Sequence, residues 1–101
     1  MNRNRLPSRR GHVSFTFEHG IMYTAGLGFF EDGSLAEIFL NGAKADSDLD
    51  IAARDAAVAT SIALQYGASP AVLFRSMTRN PDGSPQSPIG VVLKKFLDHQ
   101  I

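Results

Sequence analysis

The stretch from Lys44 to Gly67 constrains the fold most, because it is the longest run of the chain with helical spacing. It begins with a group of acids and ends at a glycine. Carboxylates are favoured at the positive end of the helix dipole, and a glycine can adopt the left-handed conformation that ends a helix. We therefore predict a long helix over most of this stretch. Its candidate N-caps are Asp46, Ser47 and Asp48.

The apolar residues of this helix recur at steps of three and four. Such steps place side chains on one broad face of a helix. We predict that this face is buried, and that its many alanines allow close approach to a neighbouring element, most simply a sheet. The residues assigned to the buried face are Ile51, Ala52, Ala56, Val58, Ala59, Ile62, Ala63 and Tyr66.

Three strands are predicted before the helix. Apolar and polar residues alternate from His12 onward, which is typical of a half-buried strand. Turn signals at His19-Gly20 and Asp32-Gly33 separate it from strands over about 21–30 and 34–41. Tight turns between consecutive strands produce an antiparallel meander.

Two shorter helices are predicted after the long one. Ser69-Pro70 and Ser87-Pro88 each combine an N-cap residue with a proline at the first helical position. The first of these helices should bury Val72, Leu73 and either Phe74 or Met77. The fold class is therefore α+β, with a three-stranded antiparallel β-meander followed by three helices and the long Ala-rich helix packed on the sheet. We predict a flexible basic arm over residues 1–10 and a single domain over residues 11–101.

Composition excludes several classes of function. The chain has no cysteine, which excludes thiol catalysis, disulfides and cysteine-based zinc sites and suits a cytoplasmic protein. No apolar run approaches the roughly 18 residues of a membrane span. No serine lies in a G-x-S-x-G elbow. His12, His19 and His99 fall at a strand start, a turn and the C-terminus. We expect no catalytic residue, no cofactor, no metal and no membrane contact.

Some acidic residues have two interpretations. The D-x-D-x-D spacing of Asp46, Asp48 and Asp50 resembles the start of a calcium loop, but the glycine and distal glutamate of that loop are missing. Negative charge at a helix N-terminus is the preferred interpretation. Asp55, beside the apolar face, and Glu37, in the third strand, are interpreted as members of structural ion pairs rather than as catalytic acids.

Two parts of the chain are candidate partner-binding surfaces. The sheet has two edges, and its outer face carries large apolar residues, so self-association as a homodimer or binding to a protein partner is expected. The N-terminal arm is basic and can grip phosphate, fold onto the acidic surface of the protein, or serve as a solubilising tail. The candidate partner-binding residues are Arg3, Arg5, Arg9 and Arg10 on the arm, and Met22, Phe30 and Phe39 on the sheet.

The run from His19 to Phe96 resembles the TSCPD domain in several short motifs. They are H-G-x-M-Y-T (19–24), F-x-D-G-x-L-A-E-I-F-L-N (30–41), A-R-D-A-A (53–57), S-x-A-L-Q-Y-G (61–67), T-R-N-P-D-G-S-P (78–85) and P-I-G (88–90), with Lys44 between the second and third. The TSCPD domain occurs at the C-terminal end of vitamin-B12-dependent (class II) ribonucleotide reductases and as small stand-alone proteins of bacteria and phages. Members often carry a cysteine near the start of the helix that follows the sheet, whereas this chain has Asp46-Ser47-Asp48 there.

The resemblance implies a non-catalytic accessory or regulatory module that binds a protein of nucleic-acid metabolism, such as a reductase subunit. Reductase chemistry itself needs a radical-forming cysteine and a cysteine pair, and the chain has no cysteine. The alternative function is nucleic-acid binding through the basic arm. In outline the meander and helix also resemble double-stranded RNA-binding domains, but three aspartates stand where those domains carry basic residues, and aspartates repel phosphate.

Overall fold

The protein is an α+β fold in which a three-stranded antiparallel sheet is followed by three helices. A computed structural model describes residues 2–7 and 11–99. The strand order is β1-β2-β3, so the predicted meander and helix order are confirmed. The elements are β1 (His12–His19), β2 (Ile21–Phe29), β3 (Leu35–Gly42), α1 (Asp48–Gln65), α2 (Pro70–Ser76) and α3 (Pro88–Leu97).

Short polar residues and glycines set the ends of these elements, as predicted. Ser47, Ser69 and Ser87 are the three helix N-caps, and each side chain accepts a hydrogen bond from the backbone N–H three residues later. Gly67 has a φ of 100° and ends α1. There its N–H bonds to the carbonyl of Leu64 while the next N–H bonds to the carbonyl of Ala63, which is the Schellman arrangement.

The inner face of the sheet forms the core together with α1 and α3, so the predicted packing of the long helix against the sheet is confirmed. Leu27 and Leu40 from the sheet and Val92 and Leu93 from α3 are the largest fully buried side chains. The ring of Phe96, near the end of α3, lies 6.3 Å from the ring of Phe29 in β2. One core of this size is what a chain of about 100 residues can bury.

A β-bulge in β3 changes the face of the sheet on which Leu35 lies. The register pairs Gly28 with Glu37 but Phe29 with Leu35, so Ala36 is an extra residue in β3. Strict alternation along β3 predicts that Leu35 lies on the same face as Glu37. The structure differs, because the bulge brings Leu35 opposite Phe29 and into the core.

Helix α1 packs along the free edge of β3. The Ser61 hydroxyl accepts a hydrogen bond from the Ile38 N–H (2.8 Å) and donates one to the Ile38 carbonyl (3.1 Å). The Gln65 side chain donates to the carbonyl of Ala36 (3.1 Å). Asp50, at the other end of the helix, accepts from the Gly42 N–H (2.8 Å). The helix therefore runs antiparallel to β3 and satisfies backbone groups that a neighbouring strand would otherwise bond.

The face of α1 that meets the sheet is not the predicted one. Its buried residues are small or polar, and the large apolar residues assigned to the buried side are exposed. The physical reason is the edge of β3, which needs hydrogen-bonding side chains and a close backbone approach that large side chains would prevent. Val72 of α2, also predicted to be buried, is 50% exposed. The buried residues of α1 are Asp50, Ala53, Ala57, Thr60, Ser61, Leu64 and Gln65.

Replacing Ser61 by alanine should destabilise the protein. The Ser61→Ala change leaves the N–H and carbonyl of Ile38 without their partner at a buried site, and we expect a loss of about 1–3 kcal/mol in the free energy of unfolding. Urea denaturation followed by circular dichroism measures this loss. Ser76→Ala is the control, since the Ser76 hydroxyl bonds to a backbone carbonyl at an exposed site. Equal urea midpoints for the two variants would contradict the described role of Ser61.

Enlarging a buried alanine of α1 should also be costly. Ala57 is 2% exposed on the face that meets β3, so Ala57→Leu has to push the helix away from the strand. Overpacking of this kind typically costs about 1–3 kcal/mol. Ala59→Leu, the same change at an exposed position of the same helix, should leave the urea midpoint nearly unchanged. If Ala59→Leu proves the more damaging variant, the orientation of α1 described above is incorrect.

Candidate functional site

Four large apolar side chains are exposed along one face of α1. We use the name exposed stripe for Ile51, Val58, Ile62 and Tyr66, which share one face of the helix. Their exposed fractions lie between 38% and 58%. Sequence reasoning found the spacing of these residues but assigned them to the core. The stripe could be recognised only once the buried face of α1 was known.

The charge around the exposed stripe is acidic. Asp55 is exposed within the stripe, between Ile51 and Val58, and Asp48 is exposed at the start of the helix. The nearest basic residue, Arg54, is engaged in ion pairs with the carboxylates at the N-terminal end of the helix. The prediction that Asp55 is a partly buried acid in need of a partner is therefore wrong.

The buried acid of α1 is Asp50, and it organises the loop before the helix. Its carboxylate accepts hydrogen bonds from the N–H groups of Asp46 and Gly42, each at 2.8 Å, and lies 3.5 Å from an Arg54 nitrogen. The Asp46 N–H, then the Gly42 N–H, and then the charge of Arg54 lower the pKa of Asp50 below its ordinary value. The hydrogen bond to Asp46 and the charge of Asp50 raise the pKa of Arg54. Asp50 therefore has a structural role, since it holds the link between β3 and α1.

The outer face of the sheet carries two of the predicted partner-binding residues. Met22 is 45% exposed and Phe39 is 48% exposed. Phe39 lies opposite Gly26 in the register, four residues along β2 from Met22, which is about 13 Å. The row between them holds Thr24 and Asn41, both exposed. Met22 and Phe39 thus form two separate apolar spots, and their role in partner binding stays a prediction.

The space beside Phe30 is a groove formed partly by the N-terminal segment. Phe30 is half-buried, and residues 4–7 lie across from it. The groove has a volume of about 1120 Å³. Its lining combines apolar side chains with charged and hydroxyl groups of both edges, and the Ser34 hydroxyl donates a hydrogen bond to the Asp32 carboxylate (2.6 Å) within an exposed turn. The lining residues are Asn4, Arg5, Leu6, Pro7, Phe30, Glu31, Asp32, Ser34, Leu35, Leu64, Gly67, Ala68, Ser69, Pro70 and Phe96.

The described part of the basic arm contacts the end of α1. The Arg3 Nε donates to the Gln65 side-chain oxygen (2.5 Å), and the Asn4 N–H donates to the Gln65 carbonyl (2.6 Å). Arg5 is exposed. The other two candidate arginines, at positions 9 and 10, lie outside the described residues. The proposed phosphate grip of the arm stays a prediction.

The histidines lie apart from one another in the described chain. The His12 Nε2 lies 2.9 Å from the Ser14 hydroxyl on the exposed outer face, and the His19 Nε2 lies 2.9 Å from the Gln86 carbonyl. His99 follows α3 at the surface. Among residues 2–7 and 11–99, no three histidine or acidic side chains are grouped so that they could hold a metal ion. In the same ranges, no helix is sufficiently long and apolar to span a bilayer.

Comparison with known proteins leaves the resemblance to the TSCPD domain untested. No family model, no curated protein and no solved structure matches the chain.

The hydrogen bonds of Asp50 predict how stability depends on pH. A carboxyl group whose pKa is lower in the folded state stabilises the fold above its unfolded-state pKa, here near 3.8, and this contribution disappears as the pH falls towards the folded-state value. Between about pH 5 and pH 2, the free energy of unfolding of the wild type should therefore fall more steeply than that of Asp50→Asn. Urea midpoints measured at each pH test this expectation.

The control for this experiment is Asp48→Asn, because Asp48 belongs to the same turn of the helix but is exposed. The free energy of unfolding of Asp48→Asn should still fall steeply with decreasing pH, because the Asp50 carboxylate keeps its two backbone hydrogen bonds in this variant. Parallel profiles for the wild type and Asp50→Asn would contradict the role given to Asp50.

Proposed function

We propose that the protein is a non-catalytic binding module that docks a protein partner through the exposed stripe of α1. The observation that carries this proposal is the orientation of α1, which directs four large apolar side chains to the surface. Within the described chain they lie together on one helix face. Several exposed apolar side chains on one helix face are typical of protein interaction sites.

The stripe favours a partner of particular chemistry. It extends from Ile51 to Tyr66, which is about 22 Å along the helix axis, or roughly four turns. An amphipathic helix of the partner can cover such a length with its own apolar face. Because Asp55 lies within the stripe and Arg54 is already paired, a basic side chain on the partner helix would complement the charge.

The resemblance to the TSCPD domain suggests where such a module acts. It supports an accessory protein, regulator or inhibitor of nucleic-acid-metabolism machinery, with a class II ribonucleotide reductase as the candidate partner. A cytoplasmic location belongs to the same proposal and is supported by the lack of cysteine.

Site-specific photo-crosslinking tests the proposal. A photoreactive phenylalanine analogue at position 58 should crosslink to a different protein in cells that produce this chain naturally, because Val58 is at the middle of the stripe. The Ile62→Asp change, which places an acid beside that position, should reduce the crosslinked yield by about 10-fold or more, as expected when a central apolar contact is lost. Immunoblotting measures the yield, and mass spectrometry identifies the product.

The matched control carries the same analogue at position 75, since Arg75 is exposed on a different helix, α2. We expect no specific product there. If positions 58 and 75 crosslink to the same proteins with equal yield, or if position 58 crosslinks only to other copies of this chain, the stripe is not a docking site for a different protein.

A further inference from the structure

One edge of the sheet is covered by a helix, whereas the other edge is open. The β3 edge is covered by α1, whose side chains bond its outward backbone groups. At the other edge, the Phe29 N–H bonds to the Gly11 carbonyl, so odd-numbered residues of β1 face β2. The N–H and carbonyl groups of the even-numbered residues therefore point away from the sheet. Among residues 2–7 and 11–99, no hydrogen-bond partner meets them; the four residues are His12, Ser14, Thr16 and Glu18.

Strand β1 also has few of the features by which proteins usually block an edge, with Glu18 as its one acidic side chain. It is eight residues long, pairs with β2 without a register shift, and contains no proline or lysine. Beside the open edge, on the inner face, Val13 is 37% exposed and Phe15 is only partly buried. The edge thus combines free backbone groups with incompletely buried apolar side chains.

We propose that β1 pairs with β1 of a second copy, antiparallel and across a two-fold axis at Phe15, to form a continuous six-stranded sheet. The axis position follows from the register. Only an axis at Phe15 places all four outward-facing residues opposite one another, which gives about eight hydrogen bonds between the two strands. An axis moved by one residue in either direction leaves one of the four without a partner in the opposite strand.

The side chains are complementary in this register. On the outer face, His12 comes opposite Glu18 of the second copy at both ends of the contact. In the monomer the His12 ring lies 6.3 Å from the Phe39 ring and its Nε2 lies 2.9 Å from the Ser14 hydroxyl, so the ring turns towards the edge when it meets the carboxylate. Ser14 lies opposite Thr16, which pairs two hydroxyls. On the inner face, the two Phe15 rings meet on the axis. Helix α1 lies at the far edge of the sheet and does not obstruct the contact. This inference does not rest on the proposed function, because it uses a different surface.

Proline substitution tests the use of the free edge. The Thr16 N–H makes no hydrogen bond within the described chain, so Thr16→Pro should leave the folded monomer intact, as checked by circular dichroism and a urea midpoint. It removes a donor that the dimer uses. By sedimentation at about 100 μM, the wild type and Thr16→Val should be dimers, and Thr16→Pro a monomer. A monomeric wild type, or a dimer that survives in Thr16→Pro, would overturn the proposal.

Charge exchange and cysteine pairing test the register. His12→Glu sets two carboxylates opposite each other and should raise the dimer dissociation constant by roughly 3- to 30-fold, while adding Glu18→Lys should restore it.

Because the chain has no cysteine, Phe15→Cys should form a disulfide across the axis under mild oxidation. Val13→Cys should not, since its two copies would lie about 13 Å apart. Equal crosslinking at both positions excludes this register.

A variant of the exposed stripe separates this proposal from the docking of a different protein. Val58→Asp should leave the sedimentation of the dimer unchanged, because α1 is remote from β1 in the sheet order. If Val58→Asp yields monomers and Thr16→Pro does not, the two copies meet through α1 and the β1 pairing is wrong.

Discussion

The hydrogen bonds between α1 and the edge of β3 are the interaction on which the rest of the structure depends. Ser61 satisfies both backbone groups of Ile38, and Gln65 and Asp50 extend the contact to either end of the strand. A buried backbone group without a partner costs about 1–3 kcal/mol, and three buried groups and the partly buried Gly42 N–H are satisfied here. Full burial of one large apolar side chain gains a comparable amount. Satisfying the backbone groups of β3 can therefore favour this orientation of α1 as strongly as burial of the apolar stripe would favour the opposite one.

The orientation of α1 determines which surfaces of the protein remain exposed. Because α1 turns its small and polar residues to the strand, its large apolar residues face outward and form the exposed stripe. Because α1 covers only one edge of the sheet, β1 stays open at the other. The packing of α1 against β3 thus leaves two different surfaces exposed, one apolar and one made of free backbone groups. The partners we propose for them differ accordingly, an amphipathic helix for the stripe and a second strand for β1.

Part of the candidate site could be predicted from the sequence. Alternation along the strands placed Met22 and Phe39 on the outer face, and both are exposed. The exposed stripe was missed because an apolar stripe on a helix normally faces the core. Asp55 was chosen over Asp50 as the buried acid for the same reason. The one available signal was the pattern of Asp50, Ser61 and Gln65, polar residues that recur on the helix face that carries Ala53 and Ala57.

The sequence by itself determined the elements, their order and their ends. Those features depend on local chemistry, such as the N-caps at Ser47, Ser69 and Ser87 and the left-handed glycine after α1. Only the tertiary structure decided which face of α1 is buried. Both of its faces repeat with the same helical period, and the choice depends on backbone groups of a strand more than 20 residues away in the chain. Periodicity describes one helix, whereas burial is settled by what that helix meets.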